Sequence, residues 1–166
     1  MKRHDSQAGL TLTPASSPLA LGSGVERSGA VVYAAKGGES AVSLRPRANG
    51  VKEDIVLTRP LGDKLVFEWT LGLEQGLEAR LDGQGNVNVY GASNYLWGDV
   101  QVSDDKSRGL LEKARRNAPK DQLLYRIPAP EVRQATGTMA AGAASFELRG
   151  SRLTLRASGL SRLAYP

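Results

Sequence analysis

Residues 65–71 of the chain read LVFEWTL, in which every second residue is apolar: Leu65, Phe67, Trp69 and Leu71. Successive side chains of a β-strand point to opposite faces, so this spacing predicts a strand with one buried face and one solvent-facing face. The same two-residue period continues in residues 77–81 and 87–89, on either side of the sequence DGQG. Glycine-rich tetrapeptides favour tight turns, so the three segments together predict an antiparallel meander.

Similar short segments fill most of the chain after residue 29, with turn residues about every 8–12 positions. The clearest candidate strands are residues 30–34, 40–45, 51–57, 65–71, 76–81, 85–90, 122–127, 145–149 and 152–156. We therefore predict an all-β fold: an antiparallel β-sandwich, or a partly open barrel, with one short helix and an extended N-terminal arm. The core is expected to bury the following side chains together: Phe67, Trp69, Leu71, Leu77, Leu81, Val87, Phe146, Leu148, Leu153 and Leu155.

One segment, residues 106–118, has the character of a helix. Residues 103–105 read SDD and precede it as N-terminal caps, while Pro119 ends it. Basic residues near its end suit the partial negative charge of a helix C-terminus. The side chains expected to dock this helix on the sheet are Leu110, Leu111 and Ala114.

Residues 1–29 differ from the rest in composition, because they are rich in Ser, Thr, Pro, Gly and Ala. We interpret them as a flexible or docking N-terminal arm, and residues 30–166 as the β-sandwich domain. Polar residues and prolines interrupt the apolar part of the arm, which does not form a clear signal peptide. Four residues alternate as strands do: Leu10, Thr11, Leu12 and Thr13. This segment is expected to add to a sheet edge, in the same molecule or in a neighbouring one.

The composition excludes several classes of chemistry. The chain of 166 residues has no cysteine and one histidine, His4, which argues against thiolate catalysis, cysteine-based zinc sites and a Ser–His–Asp triad. No GxSxG, P-loop or HExxH motif occurs. We therefore expect a protein that is not an enzyme, with no cofactor and no metal. No apolar run approaches the roughly 18–20 residues of a membrane-spanning helix.

The net charge is +5, from 22 basic and 17 acidic residues. The densest basic cluster combines Lys113, Arg115 and Arg116 with Lys106, Arg108 and Lys120. Such a cluster either attracts nucleic acid or another anionic surface, or is the solvated face of a helix. We favour the solvated face and expect no nucleic acid, because no aromatic residues lie among the basic ones to stack on bases.

Two patterns have both a functional and a structural interpretation. Glu53 alternates with apolar residues, which would place a carboxylate on an inner sheet face near Lys52 or Arg59, but strand carboxylates are usually solvated or paired. Residues 82–86 carry oxygen-bearing side chains at every second position, as calcium loops do. A hairpin turn with glycines explains the same residues, and we favour it.

The strings that follow occur in this order: GVKEDIVL at 50–57, a strand with Phe67, GLEA at 76–79, DG at 82–83, IPAP at 127–130 and LAYP at 163–166. As a set they resemble the N-terminal regions of large secreted bacterial RHS/YD-repeat proteins, over residues 30–166. The resemblance implies a β-rich scaffold module rather than an enzyme, located outside the cell or on its surface. This chain departs from that pattern in having no YD repeats and in carrying the charged segment 104–120.

Two functions from different classes follow from these patterns. The first is a non-catalytic structural or interaction module of a bacterial surface or secreted protein. Its partner would be another protein, or a second copy assembling through the N-terminal arm. The alternative is a carbohydrate-binding module, whose possible ligand surface is formed by Tyr95 and Trp97.

Overall fold

The computed structural model describes residues 9–48, 50–92 and 100–166, and about half of these residues lie in β-strands. The strands form three antiparallel sheets, which confirms the predicted all-β, sandwich-like fold with a short helix. The elements, in chain order, are β1 (Leu10–Ser16), β2 (Leu21–Arg27), β3 (Ala30–Ala35), β4 (Ser40–Arg47), β5 (Gly50–Leu57), β6 (Lys64–Leu73), β7 (Glu78–Leu81), β8 (Val87–Gly91), α1 (Asp105–Arg116), β9 (Gln122–Ile127), β10 (Ala144–Arg149), β11 (Arg152–Ser158) and a 3-10 helix (Leu160–Arg162).

The three sheets draw on the chain in different ways. Strands β2, β3, β4 and β5 are consecutive and form one four-stranded sheet. Strands β7, β8 and β9 form a three-stranded sheet, in which the β7–β8 hairpin is joined by a strand from beyond α1. The third sheet has the order β1–β6–β11–β10, so it places the first strand beside the sixth, and the sixth beside the last.

The contacts between residues divide the chain into two compact units. Unit 1 lies within Met1–Thr13, Thr70–Ala129 and Leu148–Leu153, and unit 2 lies within Pro14–Trp69, Pro130–Glu147 and Thr154–Pro166. The boundary predicted at residues 29/30 is not among the boundaries of these units. Strand β6 contributes residues 64–69 to unit 2 and residues 70–73 to unit 1.

Unit 1 has a hydrophobic core between two layers of strands. Its buried members are Leu10, Leu71, Val89, Leu124 and Tyr125. Leu10 and Leu71 come from β1 and β6, whereas the other three come from the three-stranded sheet, so the unit is a small β-sandwich. Burying side chains of this size contributes roughly 1.5–3 kcal/mol each relative to exposure.

Unit 2 has a second core, again between two sheets. Its buried members are Leu19, Val42, Leu65, Phe67 and Leu160. Tyr33, Val42 and Ile55 lie opposite one another on β3, β4 and β5, and all three face this core. Strand β6 supplies the other layer, where the rings of Phe67 and Trp69 stack with centroids 6.2 Å apart.

The alternation predicted for β6 is confirmed, because Leu65, Phe67 and Leu71 are all buried. The prediction of one shared core is wrong, since Phe67 lies in the core of unit 2 and Leu71 in the core of unit 1. Leu81 was also expected in the core, yet it is 43% exposed. It is the last residue of β7, an edge strand with a neighbour on one side only, so little of the sheet covers its side chain.

Residues 10–16 and 21–27 of the predicted arm form strands β1 and β2. Strand β1 lies next to β6, and β2 pairs with β3 through Val25 opposite Val32. Leu10 is buried in the core of unit 1 and Leu19 in the core of unit 2. The composition of this segment is that of a linker, but its spaced leucines provide the burial that a strand needs.

Helix α1 closely matches the predicted range of 106–118. Its N-cap is Asp104, whose Oδ1 accepts a 2.8 Å hydrogen bond from the backbone N–H of Ser107. The expected docking of its apolar side chains is wrong for Leu110, which is 62% exposed, whereas Leu111 and Ala114 are half-buried. No residue of α1 is fully buried.

Candidate functional site

The predicted strand-addition segment is a strand of this chain's own sheet. Leu10 is buried, while Thr11, Leu12 and Thr13 are exposed. Within unit 1, a Cβ added at Gly72 would collide with the Thr11 side chain, so this glycine allows β1 and β6 to approach closely. The other predicted surface, Tyr95 and Trp97, lies outside the residues that the structure describes.

The tip of the β7–β8 hairpin is held by the carboxylate of Asp82. Its Oδ1 accepts the backbone N–H groups of Gln84 and Asn86, and its Oδ2 accepts the side-chain amides of Asn86 and Asn88, each at 2.9 Å. These hydrogen bonds, with the Asn86 side chain first, lower the pKa of Asp82 to about 2. N–H donors therefore surround the carboxylate, and the predicted hairpin turn is confirmed.

The network continues from Asp82 into the sheet through Asn88, which is only 3% exposed. The Oδ1 atom of Asn88 accepts a 2.9 Å hydrogen bond from Nε of Arg126, the residue opposite it on β9. The Oδ1 atom of Asn86 accepts the backbone N–H of Ala129, just beyond that strand, at 2.9 Å. The network thus fastens the hairpin tip to β9, and its role is structural.

Arg80 lies on the other side of Asn88 in the same sheet. Its guanidinium donates to Glu78 and Asp121 at 2.8–3.0 Å and lies 4.8 Å from the centre of the Tyr90 ring. The hydrogen bond from Arg80 lowers the pKa of Glu78. These groups are solvent-exposed, so the ion pairs add little stability.

Glu53 is the one predicted inner-face carboxylate. It lies opposite Leu44, a residue that packs against the core of unit 2. Glu53 is solvent-exposed, but neighbouring protein atoms partly desolvate its carboxyl and raise the pKa of Glu53. The two basic residues expected near it have other partners, because Lys52 pairs with Asp54 at 2.7 Å and Arg59 pairs with Glu39.

A hydroxyl–carboxylate pair joins the 3-10 helix to the residue just before β6. The Oγ atom of Ser161 donates to Oδ1 of Asp63 at 2.5 Å, and this bond lowers the pKa of Asp63. A carboxylate held in its charged form is a weak base, and the chain's only histidine, His4, lies outside the described residues. This pair secures the 3-10 helix against the start of β6.

The sheet β2–β3–β4–β5 has one face against the core of unit 2 and one face turned away from it. The residues on this second face include Val25, Val32, Ala34, Ala41 and Val56, which we call the open face. Val25 lies opposite Val32, and Ala41 lies opposite both Ala34 and Val56. Val25 is 53% and Val56 46% exposed. The ion pairs Lys52–Asp54 and Arg59–Glu39 belong to the same sheet and the loops beside it.

Helix α1 carries the basic cluster found in the sequence. Its half-buried residues, Ser107, Leu111 and Ala114, share one side of the helix, and Leu110 lies beside that stripe. Lys106 and Lys113 flank Leu110 at positions i−4 and i+3. Among the described residues, no helix is long and apolar enough to cross a membrane.

No family model, no curated protein and no solved structure matches this chain.

Sequence reasoning missed two features, the open face and the buried Asn88. A signal for the open face exists in residues 30–34, which read AVVYA and are apolar on both sides of the strand. A strand that is buried on one face and contacts a partner on the other has this pattern. Asn88 is flanked by valines in VNVY and looks like an ordinary solvent-facing residue of an alternating strand.

Proposed function

We propose that this chain is a non-catalytic structural and interaction module of a bacterial surface or secreted protein. The observation that carries the proposal is the open face, where apolar side chains form two short rows, one on β2 and β3 and one on β3, β4 and β5, and remain exposed at Val25 and Val56. Apolar patches bordered by charged groups are typical of surfaces that bind other proteins.

Three aspartates with structural tasks support a non-catalytic role, whereas Glu53 differs from them in having a raised pKa. Asp82 holds a turn, Asp104 caps a helix and Asp63 secures the 3-10 helix, and hydrogen bonds lower the pKa of each. A general acid or base that works near neutral pH needs a pKa shifted towards 7 instead. The resemblance to the N-terminal regions of RHS/YD-repeat proteins supports a scaffold role and a location outside the cell.

Site-specific photo-crosslinking in the producing cells tests the proposal. A photoreactive residue at position 56 would lie on the open face, and one at position 51 serves as the control. Val51 is 55% exposed and belongs to the same strand, but its side chain has the parity of the opposite face. We expect position 56, and not position 51, to give a discrete crosslinked protein, either a second copy or another chain.

In the chain that carries the photoreactive residue at position 56, the variant Val25→Asp should abolish that crosslink without lowering the melting temperature, while Val51→Asp should keep it. Equal crosslinking at positions 51 and 56 would contradict the proposal. Glycan-array binding that is lost in Trp97→Ala, with no protein crosslink, would favour the carbohydrate-binding alternative instead.

A further inference from the structure

Helix α1 is ordered without a buried side chain, which is unusual for a helix this short. Isolated helices of about 12–15 residues are marginal in water, and most helices in proteins depend on burial. In α1, the Asp104 cap bonds the Ser107 amide at 2.8 Å, and Asn117 closes the other end with its N–H on the carbonyl of Lys113 at 3.1 Å. The capped helix therefore presents its surface in a preformed state.

The outward side of α1 combines one apolar residue with basic ones. Lys106, Leu110 and Lys113 form a line along the helix, at positions i, i+4 and i+7, which we call the leucine–lysine stripe. Leu110 is 62% exposed, and the two lysines form no ion pair with the part of the chain that the structure describes. The stripe is a small apolar contact between two positive charges.

The net charge of α1 indicates the charge that its partner should have. Its five basic and two acidic residues give a net charge of +3, and Arg108 already pairs with Asp105 at 2.7 Å. A surface of this kind attracts an acidic partner and repels other basic surfaces. The exposed leucine adds a requirement for an apolar side chain in the partner.

We propose that α1 docks an acidic segment of a partner protein, with Asp or Glu residues on Lys106 and Lys113 and an apolar side chain on Leu110. The proposal goes beyond the interaction role given above, because it concerns α1 and not the open face. A membrane surface is disfavoured, because one leucine offers little area for insertion and Leu111 and Ala114 are half-buried. Nucleic acid is disfavoured as a partner, because a phosphate backbone would gain nothing from contact with the exposed leucine between the lysines.

Peptide binding to the full chain tests the site by fluorescence anisotropy. One peptide carries glutamates on both sides of a central leucine, and the other has alanine at the centre. We expect the leucine peptide to bind more tightly to wild type by about tenfold, as the loss of a buried apolar contact implies. In Leu110→Ala this advantage should disappear, because the two leucines contact each other and their effects are coupled.

Charge-reversal variants distinguish binding at the leucine–lysine stripe from general attraction by the positive charge of the chain. The variant Lys106→Glu/Lys113→Glu should lose binding of both peptides by about tenfold or more at about 0.15 M salt, where long-range attraction is screened. The control Lys36→Glu/Lys64→Glu makes the same change in charge at exposed lysines of unit 2 and should bind as wild type does.

Three outcomes of the peptide experiments would overturn the proposal. Equal losses of peptide affinity in the two charge variants would mean that the attraction is non-specific. If Leu110→Ala still bound the leucine peptide more tightly than the alanine peptide, the leucine–lysine stripe would not be part of the interface. Tighter binding of duplex DNA, or of vesicles with anionic lipid, than of the leucine peptide would assign the surface to those ligands. The open face is in unit 2 and α1 in unit 1, so loss of crosslinking at position 56 with intact peptide binding would refute only the earlier proposal.

Discussion

Strand β6 and helix α1 are ordered by opposite means. Strand β6 places Leu65 and Phe67 in one core and Leu71 in another, so burial on a two-residue period defines it. Helix α1 buries no residue and is defined by Asp104 at its start and by charges matched to its dipole. Substitutions in β6 should therefore lower the stability of the whole fold, whereas substitutions in α1 should change only the local order of the helix.

The largest effect is expected from truncating the buried face of β6. Phe67→Ala should lower the free energy of unfolding by about 3–5 kcal/mol, and Leu71→Ala by about 2–5 kcal/mol, because each leaves a cavity in a packed core. Urea unfolding followed by tryptophan fluorescence and circular dichroism measures both. As the matched change in α1, Leu110→Ala should stay within about 0.5 kcal/mol of wild type.

A small effect of Phe67→Ala would contradict the prediction, because it would mean that β6 is shifted by one residue and that Phe67 faces solvent. The two variants also test whether the two units unfold together. They remove side chains from different units, so a separate early transition in only one of them would show that the two cores unfold independently.

A buried polar residue should have an intermediate effect. Asn88→Ala removes an acceptor from Arg126 and a donor from Asp82 at a site that is almost fully buried, so we expect a loss of about 1–3 kcal/mol. Asn117→Ala at the exposed end of α1 is the control and should change stability by less than about 0.5 kcal/mol. Similar values for both asparagines would mean that the network is not a support of the hairpin.

Acid should weaken the hairpin tip over a defined range of pH. The pKa of Asp82 is about 2 in the folded chain against an ordinary value of 3.8, so the stabilisation is complete above about pH 4 and is lost as the pH falls through about 2. The stability gap between wild type and Asp82→Asn should therefore be widest above pH 4 and should narrow on acidification. Chemical denaturation at a series of pH values measures the gap, and one that stayed constant across this range would contradict the prediction.

The smallest effect on the whole protein is expected at the N-cap of α1. Asp104→Ala removes the acceptor for the Ser107 amide, so the first turn should fray. Cα chemical shifts of residues 105–108 should move towards coil values and the Ser107 amide should exchange faster, while the melting temperature stays unchanged. A cooperative loss of the whole β fold would show that α1 is more than locally coupled to its unit.

Local patterns predicted the elements well. Alternation identified β6, the glycine-rich tetrapeptide identified the β7–β8 turn, and the caps and Pro119 bounded α1 to within about two residues. Each of these signals depends on neighbours in the sequence, which is why one sequence is enough to detect them.

The division into two units could not be predicted, because it depends on which distant strands share a core. Phe67 and Leu71 follow the same alternation, and nothing local distinguishes the core that each one enters. Leu10 and Leu19 were assigned to an arm because composition outweighed their spacing. The apolar side chain of Leu110 predicts docking on the sheet. In the structure it lies just beside the half-buried side of the helix and stays exposed.

The strand order of the third sheet has a kinetic consequence. Only the pair β10–β11 joins strands that are adjacent in sequence, while β1 must find β6, and β6 must find β11, from far along the chain. Topologies rich in such distant pairings have a high contact order, and small proteins of this kind fold in milliseconds to seconds rather than microseconds. The consecutive hairpins of β2–β5 can form early, whereas both cores must wait for β6. A chain emerging from the ribosome would therefore hold Leu10 and Val42 uncovered at least until β6 had been synthesised.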